Sequence, residues 1–520
     1  MKNIFEHMTI PKHFHIAVFG MILLTAWGFG EPLRAVDLAV DLNNRHQTID
    51  GFGTCLMFWQ PKPFLNPDWQ RIYWDDLGCS VLRMDMVPFV LTPNHNGKLS
   101  ETPIPMDADI DANIKKFDWK PVDVFGRVAQ AAKTYGHDES KVIASVWSPP
   151  PWMKDRGATI SKDNGNAIHG SLKQTPDNLQ QFARYLAAYL KGFQEHYGTP
   201  VYAVSIENEL DTSDDYDSCS YEPGEYVATL KAVHRELKQD AIPTLLQGPE
   251  CCSIGNSLSI WNLWQQTTYI DAVRNDPEAM KALDIYSIHG YPNDDTHSPA
   301  SYLPSWLFYL DGKGPTPPNP DKTWSGSRQD GKRYWVTEAG GEKNDWRVEK
   351  DGRQIGALGL AINIHNALVY GQNSMYVYWQ LGDGISAATG DSLLNFLDTR
   401  SPKYCAAKHF FRYIRPGAVR VEIGPNPPDG LRASAFLQSK TRTLIIVLIN
   451  PSEKELPLSI NLPVSWNGSA FNTYLSSETD RFSNPSPHKV DPSGKLGGTI
   501  PAYSVLTLVG QHLGELPLDN

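Results

Sequence analysis

The chain has 520 residues and a formal net charge of −11, with 41% hydrophobic and 20% charged residues. That length exceeds one ordinary core, so two domains are expected, and the composition is that of a globular chain rather than a disordered one. The acidic balance argues against nucleic acid or an anionic membrane surface as the partner.

Lys2 and Lys12 precede an apolar run from Ile16 to Phe29 that ends near Leu33-Arg34-Ala35. A basic region, a short apolar stretch and a small residue predict an export signal over residues 1–35, and with it a secreted or periplasmic protein. The run is short for a membrane-spanning helix. The six cysteines, Cys55, Cys79, Cys219, Cys251, Cys252 and Cys405, do not follow a zinc-site spacing. Cys219 could pair with Cys251 or Cys252 in an exported protein, whereas Cys55 and Cys79 sit on strand-like runs and read as buried thiols.

Val36, Leu38, Val40 and Leu42 alternate with Asp37, Ala39 and Asp41, the pattern of a half-buried strand that needs another sheet to cover it. Eight short β-like runs follow, Gly51–Leu56, Ser80–Met86, Val142–Trp147, Val201–Ile206, Thr244–Gln247, Ile285–His289, Tyr334–Thr337 and Met375–Trp379. Helical stretches separate most of them. The clearest is Leu179–Tyr197, with Phe182, Tyr185, Leu186, Tyr189, Leu190 and Phe193 on one face, Pro176 and Asp177 at its start and Gly198 after its end. Eight strand–helix repeats predict an α/β fold, a (β/α)8 TIM barrel over residues 48–402. Beyond residue 403, Leu444–Leu448, Leu456–Leu462 and Tyr503–Val509 are strand-like between Gly, Pro, Asn and Ser. They predict an attached C-terminal antiparallel β-sandwich over 403–520, which the strand at 36–47 joins.

Two glutamates end barrel strands: Glu209, in Val204-Ser205-Ile206-Glu207-Asn208-Glu209, and Glu338, in Tyr334-Trp335-Val336-Thr337-Glu338. Either alone reads as a solvated strand-end residue. Strand ends of a closed barrel converge on one face, so both together offer what glycosidic cleavage requires, one carboxyl to protonate the leaving oxygen and one to attack the anomeric carbon. Strand alternation points Glu207 to the same side as Glu209.

Five strings carry a more specific likeness: Asp50-Gly51-Phe52-Gly53, Trp147-Ser148-Pro149-Pro150-Pro151-Trp152-Met153-Lys154, Asn208-Glu209, Thr337-Glu338 and Phe411-Arg412-Tyr413-Ile414-Arg415-Pro416-Gly417-Ala418. From about residue 48 onward the chain resembles glycoside hydrolase family 30, and around Tyr202–Glu209 and Asp217-Ser218-Cys219 its bacterial xylanase branch. The resemblance implies a retaining hydrolase of a β-linked polysaccharide, xylan-type hemicellulose foremost. Glu209 is then acid/base, Glu338 nucleophile and Asn208 the residue that holds the sugar 2-hydroxyl. The family usually has Gln where this chain has Glu207, and Pro where it has Leu210.

The two glutamates need support. Arg83 on the second barrel strand can keep Glu338 ionised, and the charge of Glu338 would keep the proton on Glu209. His289 and Tyr291 can hydrogen-bond the nucleophile or the sugar. Trp147, Trp152 and Trp379 are candidate sugar platforms. The arginine that glucuronic-acid-dependent members carry after the eighth strand has no counterpart in Gln380-Leu381-Gly382-Asp383-Gly384-Ile385. Other members act on β-1,6-glucan, β-1,6-galactan or glucosylceramide, and these remain the alternatives. A non-catalytic glycan-binding protein would have lost a carboxylate, and both are present. A metal-dependent hydrolase would need a ligand string that neither His289 nor His297 supplies, so no metal and no cofactor is expected. The expected partner is an oligosaccharide or polysaccharide, bound by a monomer.

Overall fold

A computed structural model describes residues 36–57, 62–86, 103–163, 166–167, 170–214, 216–253, 261–291, 299–313, 324–350, 353–382, 392–394, 397–425 and 430–512. The expected export segment, His297 and residues 383–385 of the loop after the eighth barrel strand lie outside the described residues.

The first strand, β1 (Val36–Thr48), buries Leu38 and Val40 and exposes Asp37, Ala39 and Asp41, as its alternation requires. Eight parallel strands then close into a barrel: β2 (Gly51–Leu56), β3 (Val81–Met86), β4 (Lys141–Val146), β5 (Val201–Ser205), β6 (Leu245–Pro249), β7 (Ile285–His289), β8 (Arg333–Glu338) and β9 (Met375–Gln380). They pair in chain order, and β9 returns to β2. Their residues are apolar nearly throughout because both faces are covered, one by the barrel interior and one by helices. The interior is filled by Cys55, Ile143, Trp335, Met375 and their neighbours. Gly53 is dictated by close approach: a Cβ there would lie 1.8 Å from the Val81 carbonyl oxygen on the adjacent strand.

The outer ring includes α1 (Asp123–Thr134), α2 (Pro176–Tyr197), α3 (Pro223–Gln239), α4 (Trp261–Arg274), α5 (Pro299–Asp311), α6 (Ala357–Val369) and α7 (Pro402–Phe411), with shorter helices between. Thr175 caps α2 through its side chain, and Gly198 ends it in the left-handed conformation at φ 67°. Among the described residues no helix is long and apolar enough to cross a membrane.

The C-terminal strands are β10 (Val419–Gly424), β11 (Arg432–Gln438), β12 (Thr443–Asn450), β13 (Leu456–Asn461), β14 (Ala470–Ser476), β15 (His488–Lys489), β16 (Lys495–Ile500) and β17 (Ser504–Gln511). They and β1 form one nine-stranded sheet, ordered β15-β14-β17-β12-β11-β10-β1-β13-β16. This is more continuous than the two separate layers of a sandwich. The sheet curls until its edges nearly meet, with His488 Nδ1 of β15 lying 3.2 Å from the Gly497 carbonyl oxygen of β16. One pair is not antiparallel: β1 runs parallel to β13 and antiparallel to β10.

The sheet docks on the barrel through α6 and α7. Helix α6 is buried along almost its whole length, which explains its mostly apolar sequence, broken only by Asn363, His365 and Asn366. On α7, His409 is clasped at both ring nitrogens, by Thr507 Oγ1 at 2.7 Å and Ser476 Oγ at 2.9 Å. Burial, aided by the Lys408 charge, pushes the His409 imidazole down to about 3. Burial and the charges of Arg432 and Arg420 hold His365 of α6 well below its ordinary range. Both imidazoles stay neutral in the fold but take a proton once unfolded. Their contribution is therefore intact above the ordinary imidazole pKa of about 6.5 and declines as pH falls below it, by about 1.4 kcal/mol per pH unit for each. We expect the melting temperature by calorimetry to fall steadily from pH 6.5 to 4, and the fall to be shallower in His409→Gln. An identical slope in that variant would contradict the assignment.

Candidate active site

At the C-terminal end of the barrel, four strands and the turns that follow them deliver charged side chains to one guanidinium. Arg83, in the middle of β3, is 0% exposed. Its Nη1 donates to Glu338 Oε2 at 2.6 Å. Its Nη2 donates to Asn208 Oδ1 at 2.7 Å and lies 3.3 Å from His289 Nε2 and 3.4 Å from Glu250 Oε2. Glu338 is the last residue of β8 and His289 the last of β7, whereas Asn208 and Glu250 stand just beyond β5 and β6. The Arg83 guanidinium lies 4.7 Å from the Trp147 ring centroid.

The contact with Arg83 fixes the histidine tautomer. Arginine only donates, so a neutral His289 accepts at Nε2 and carries its proton on Nδ1. Burial and the Arg83 charge lower its pKa, but Glu338 and Glu209 outweigh them and raise it. Nδ1 lies 2.8 Å from Glu209 Oε1 and donates to it. Tyr216 donates to Glu209 Oε2 at 3.1 Å, and the Cys252 thiol also bonds this carboxylate. Tyr291 donates to Glu338 Oε1 at 2.9 Å. One oxygen of Glu209, one of Glu338 and a ring nitrogen of His289 lie within 4.8 Å of one another.

That triad has the spacing of a metal centre. Its chemistry does not match, because the His289 nitrogen that faces the carboxylates carries a proton and offers no lone pair. With a metal on Nδ1, the proton would move to Nε2 and meet the N–H of Arg83.

The electrostatics reverse one expectation. Burial pushes the Glu209 carboxyl up, but the bonds from His289, Cys252 and Tyr216 outweigh it and leave Glu209 below its ordinary range. Burial also pushes Glu338 up. The positive charges of His289 and Arg83 and the bond from Tyr291 oppose this, the charge of Glu209 adds to it, and Glu338 ends above its ordinary range. In the ligand-free molecule the proton therefore favours Glu338, not Glu209. Sequence reasoning weighed the two carboxylates and Arg83 and missed the three donors that converge on Glu209.

The remaining sequence candidates divide. Asn208, Arg83, His289 and Tyr291 all contact the cluster. Trp147 is 5% exposed, with Arg83 against its ring, so it orients the guanidinium and is not an open sugar platform. Trp379 is half-buried, packs against the barrel interior, and has its ring centroid 6.3 Å from that of Trp147. Trp152 packs instead against the large core between barrel and helices. Glu207 does not lie beside Glu209. The chain leaves strand geometry after Ser205, and Glu209 takes φ 51°. Glu207 is fully buried near Lys154 and Cys219, where burial outweighs the Lys154 charge and raises its carboxyl well above the ordinary range. All six cysteines are free, and the disulfide expected of Cys219 does not form. Cys219 bonds Tyr221, Cys251 bonds Asp211 and Cys252 bonds Glu209.

Glu250, Cys252 and Tyr216 were not singled out from sequence. Glu250 had a usable signal, since it follows a barrel strand as Glu338 ends one. Tyr216 had none, because it stands in a loop. That loop is pinned by Lys154, whose Nζ donates to Ser148 Oγ and Thr159 O at 3.0 Å and to Ser218 O at 2.5 Å.

Comparison with known proteins places this arrangement. A family model described as the glycosyl hydrolase family 30 TIM-barrel domain matches residues 105–301. The glucuronoxylanase XynC of Bacillus subtilis (strain 168) is 25% identical over 384 residues, which is 73% of this chain and 76% of the relative. The solved family 30 subfamily 8 xylanase Xyn30A from Clostridium acetobutylicum superposes with a TM-score of 0.67 at 22% identity, covering 91% of this chain and 99% of that one. A solved endo-beta1,6-glucanase superposes with a TM-score of 0.62 at 17% identity, covering 92% of this chain and 96% of that one.

Arg83 tests the geometry directly. Lysine keeps the charge but cannot form the planar fork. Arg83→Lys should lower kcat/KM by on the order of 100-fold, as expected when reacting groups are misplaced by about 1 Å. Steady-state kinetics on a folded variant would check this, and a change under threefold would show that the guanidinium is not the organising group.

Proposed function

We propose that this chain, a glycosyl hydrolase that carries the family 30 barrel domain, is a retaining endo-hydrolase of a β-linked polysaccharide, with xylan-type hemicellulose its favoured substrate. The observation that carries the mechanism is the closeness of Glu209 and Glu338, with one oxygen of each within 4.8 Å. Retention needs carboxyl groups about 5–5.5 Å apart so that one can attack directly, whereas inversion needs about 6.5–9.5 Å to seat a water.

Glu338 is the nucleophile. Arg83 and Tyr291 bind one oxygen each and orient the carboxylate for attack on the anomeric carbon. Glu209 protonates the leaving oxygen and later removes a proton from water. The proton has to be on Glu209 for the first step, against its preference in the free enzyme. A glycosidic oxygen accepts hydrogen bonds, and only protonated Glu209 can give one, so substrate binding itself moves the proton. The ester formed on Glu338 then carries no charge, and the donors around Glu209 favour its ionised, water-activating form.

Xylan is supported by the likeness to XynC, a glucuronoxylanase. A β-1,6-glucan is the second reading, supported by the likeness to the endo-beta1,6-glucanase. Glucuronic acid side groups are not expected to be required. Export follows from the N-terminal sequence, and N-terminal sequencing of secreted protein that begins near Val36 tests it.

Four outcomes are expected. NMR of the first-formed product should show the β anomer, and an α anomer would overturn retention. Glu338→Gln should lose nearly all activity on every substrate, whereas Glu209→Ala should recover with good leaving groups or small anions, because proton donation contributes about 10²- to 10⁴-fold. The lower limb of the kcat profile should lie at higher pH than that of kcat/KM, since Glu209, which lies below Glu338 in the free enzyme and so sets its lower limb, is raised in the complex. Coincident limbs would contradict the proton shift. Release of short xylo-oligosaccharides from unsubstituted xylan, with no cut of β-1,6-glucan, would support the substrate assignment, and the reverse would replace it.

A further inference from the structure

We infer that Glu250 is a positioning residue that links the two catalytic carboxyl groups, acting on Glu338 through Arg83 and on Glu209 through its own backbone carbonyl. The inference rests on the assignment of Glu209 and Glu338 as the catalytic pair.

Glu250 is 0% exposed and stands directly after β6. Its carboxylate accepts from Ser145 Oγ at 2.7 Å and Gln247 Nε2 at 3.3 Å. Those bonds hold it 3.4 Å from Arg83 Nη2. Nη2 has two hydrogens and three acceptors in reach, Asn208, His289 and Glu250. Glu250 is therefore a restrained competitor for the guanidinium that orients Glu338. Ser145 sets how strongly it competes.

The second link is through the backbone. The Glu209 amide donates to the Glu250 carbonyl at 3.1 Å. Glu209 has φ 51° and Glu250 φ 60°, both left-handed although neither is glycine. Such a conformation is strained for a bulky residue and persists only where the surroundings enforce it. Here the two strained residues enforce each other. Cys252, two residues on, bonds the Glu209 carboxylate, so one short segment after β6 touches the acid/base at both its backbone and its side chain.

The sign of the effect follows. The negative charge of Glu250 shares the Arg83 guanidinium with Glu338 and so favours the protonated form of Glu338. Glu250→Gln keeps the shape and removes the charge. We expect kcat to fall about 10- to 100-fold with KM nearly constant, as for displaced reacting groups, and the upper limb of kcat/KM, which Glu338 sets in the free enzyme because it lies above Glu209, to move to more acid pH. A folded Glu250→Gln enzyme with unmoved limbs would overturn the proposal, whether its kcat were normal or reduced, since a merely structural role changes rate without moving the limb. Should Glu250→Gln not fold, Ser145→Ala tests the same link with every charge in place. The carboxylate it releases draws Arg83 from Glu338, so the upper limb should move to more alkaline pH, and an unmoved limb would again overturn the proposal. Glu338→Gln is assayed in parallel. If that variant stays active, the catalytic assignment falls; if it is dead while the Glu250 and Ser145 variants match wild type, only the role of Glu250 falls.

Discussion

A guanidinium with no access to solvent has to be neutralised and hydrogen-bonded where it stands, and the catalytic end of this barrel is arranged around that demand. Arg83 sits inside the barrel wall on β3, so no flexible surface group can serve it. Its partners come from β7 and β8 and from the turns after β5 and β6. The strand ends that converge in any such barrel are here converged on one cation. Removing one partner leaves a buried charge or a buried polar group unpaired, so the cluster behaves as a unit.

This arrangement explains why two nearby carboxyl groups do not share one environment. Glu338 faces a cation and one tyrosine. Glu209 faces three donors, and one of them, His289, is held in its donating form by the same cation. Arg83 thus acts on both, on Glu338 directly and on Glu209 by fixing a proton on His289 Nδ1. The resting state resembles the second half of the proposed reaction, with Glu209 ready to accept a proton, and substrate has to supply the bias for the first half.

Much of this was legible in the sequence. The barrel strands fall within a residue or two of the apolar runs, because strands covered on both faces need apolar residues with little alternation. The paired glutamates and Arg83 were legible because strand position alone determines where a barrel side chain points. That logic failed at Glu207 and Glu209, since alternation holds only while the backbone is extended, and the chain turns after Ser205. It failed for Tyr216, which a loop brings to the site by bonds that have no local signature. It also failed for Trp147, where composition signalled an aromatic ring but not that Arg83 would cover it. That the strand at 36–47 joins the C-terminal module was legible from its need for a covering sheet, whereas its place between β10 and β13 in one continuous sheet was not, because that register is set by residues nearly a whole chain away.

The central claim is that Glu338 attacks carbon and Glu209 moves protons. Trapping the covalent intermediate tests it most directly. Incubation with a 2-deoxy-2-fluoro β-glycoside bearing a good leaving group, followed by proteolysis and mass spectrometry, should find one sugar per chain, on the peptide that ends β8 and at Glu338. A label on Glu209 or Glu207, or turnover of a competent substrate with no label anywhere, would contradict it.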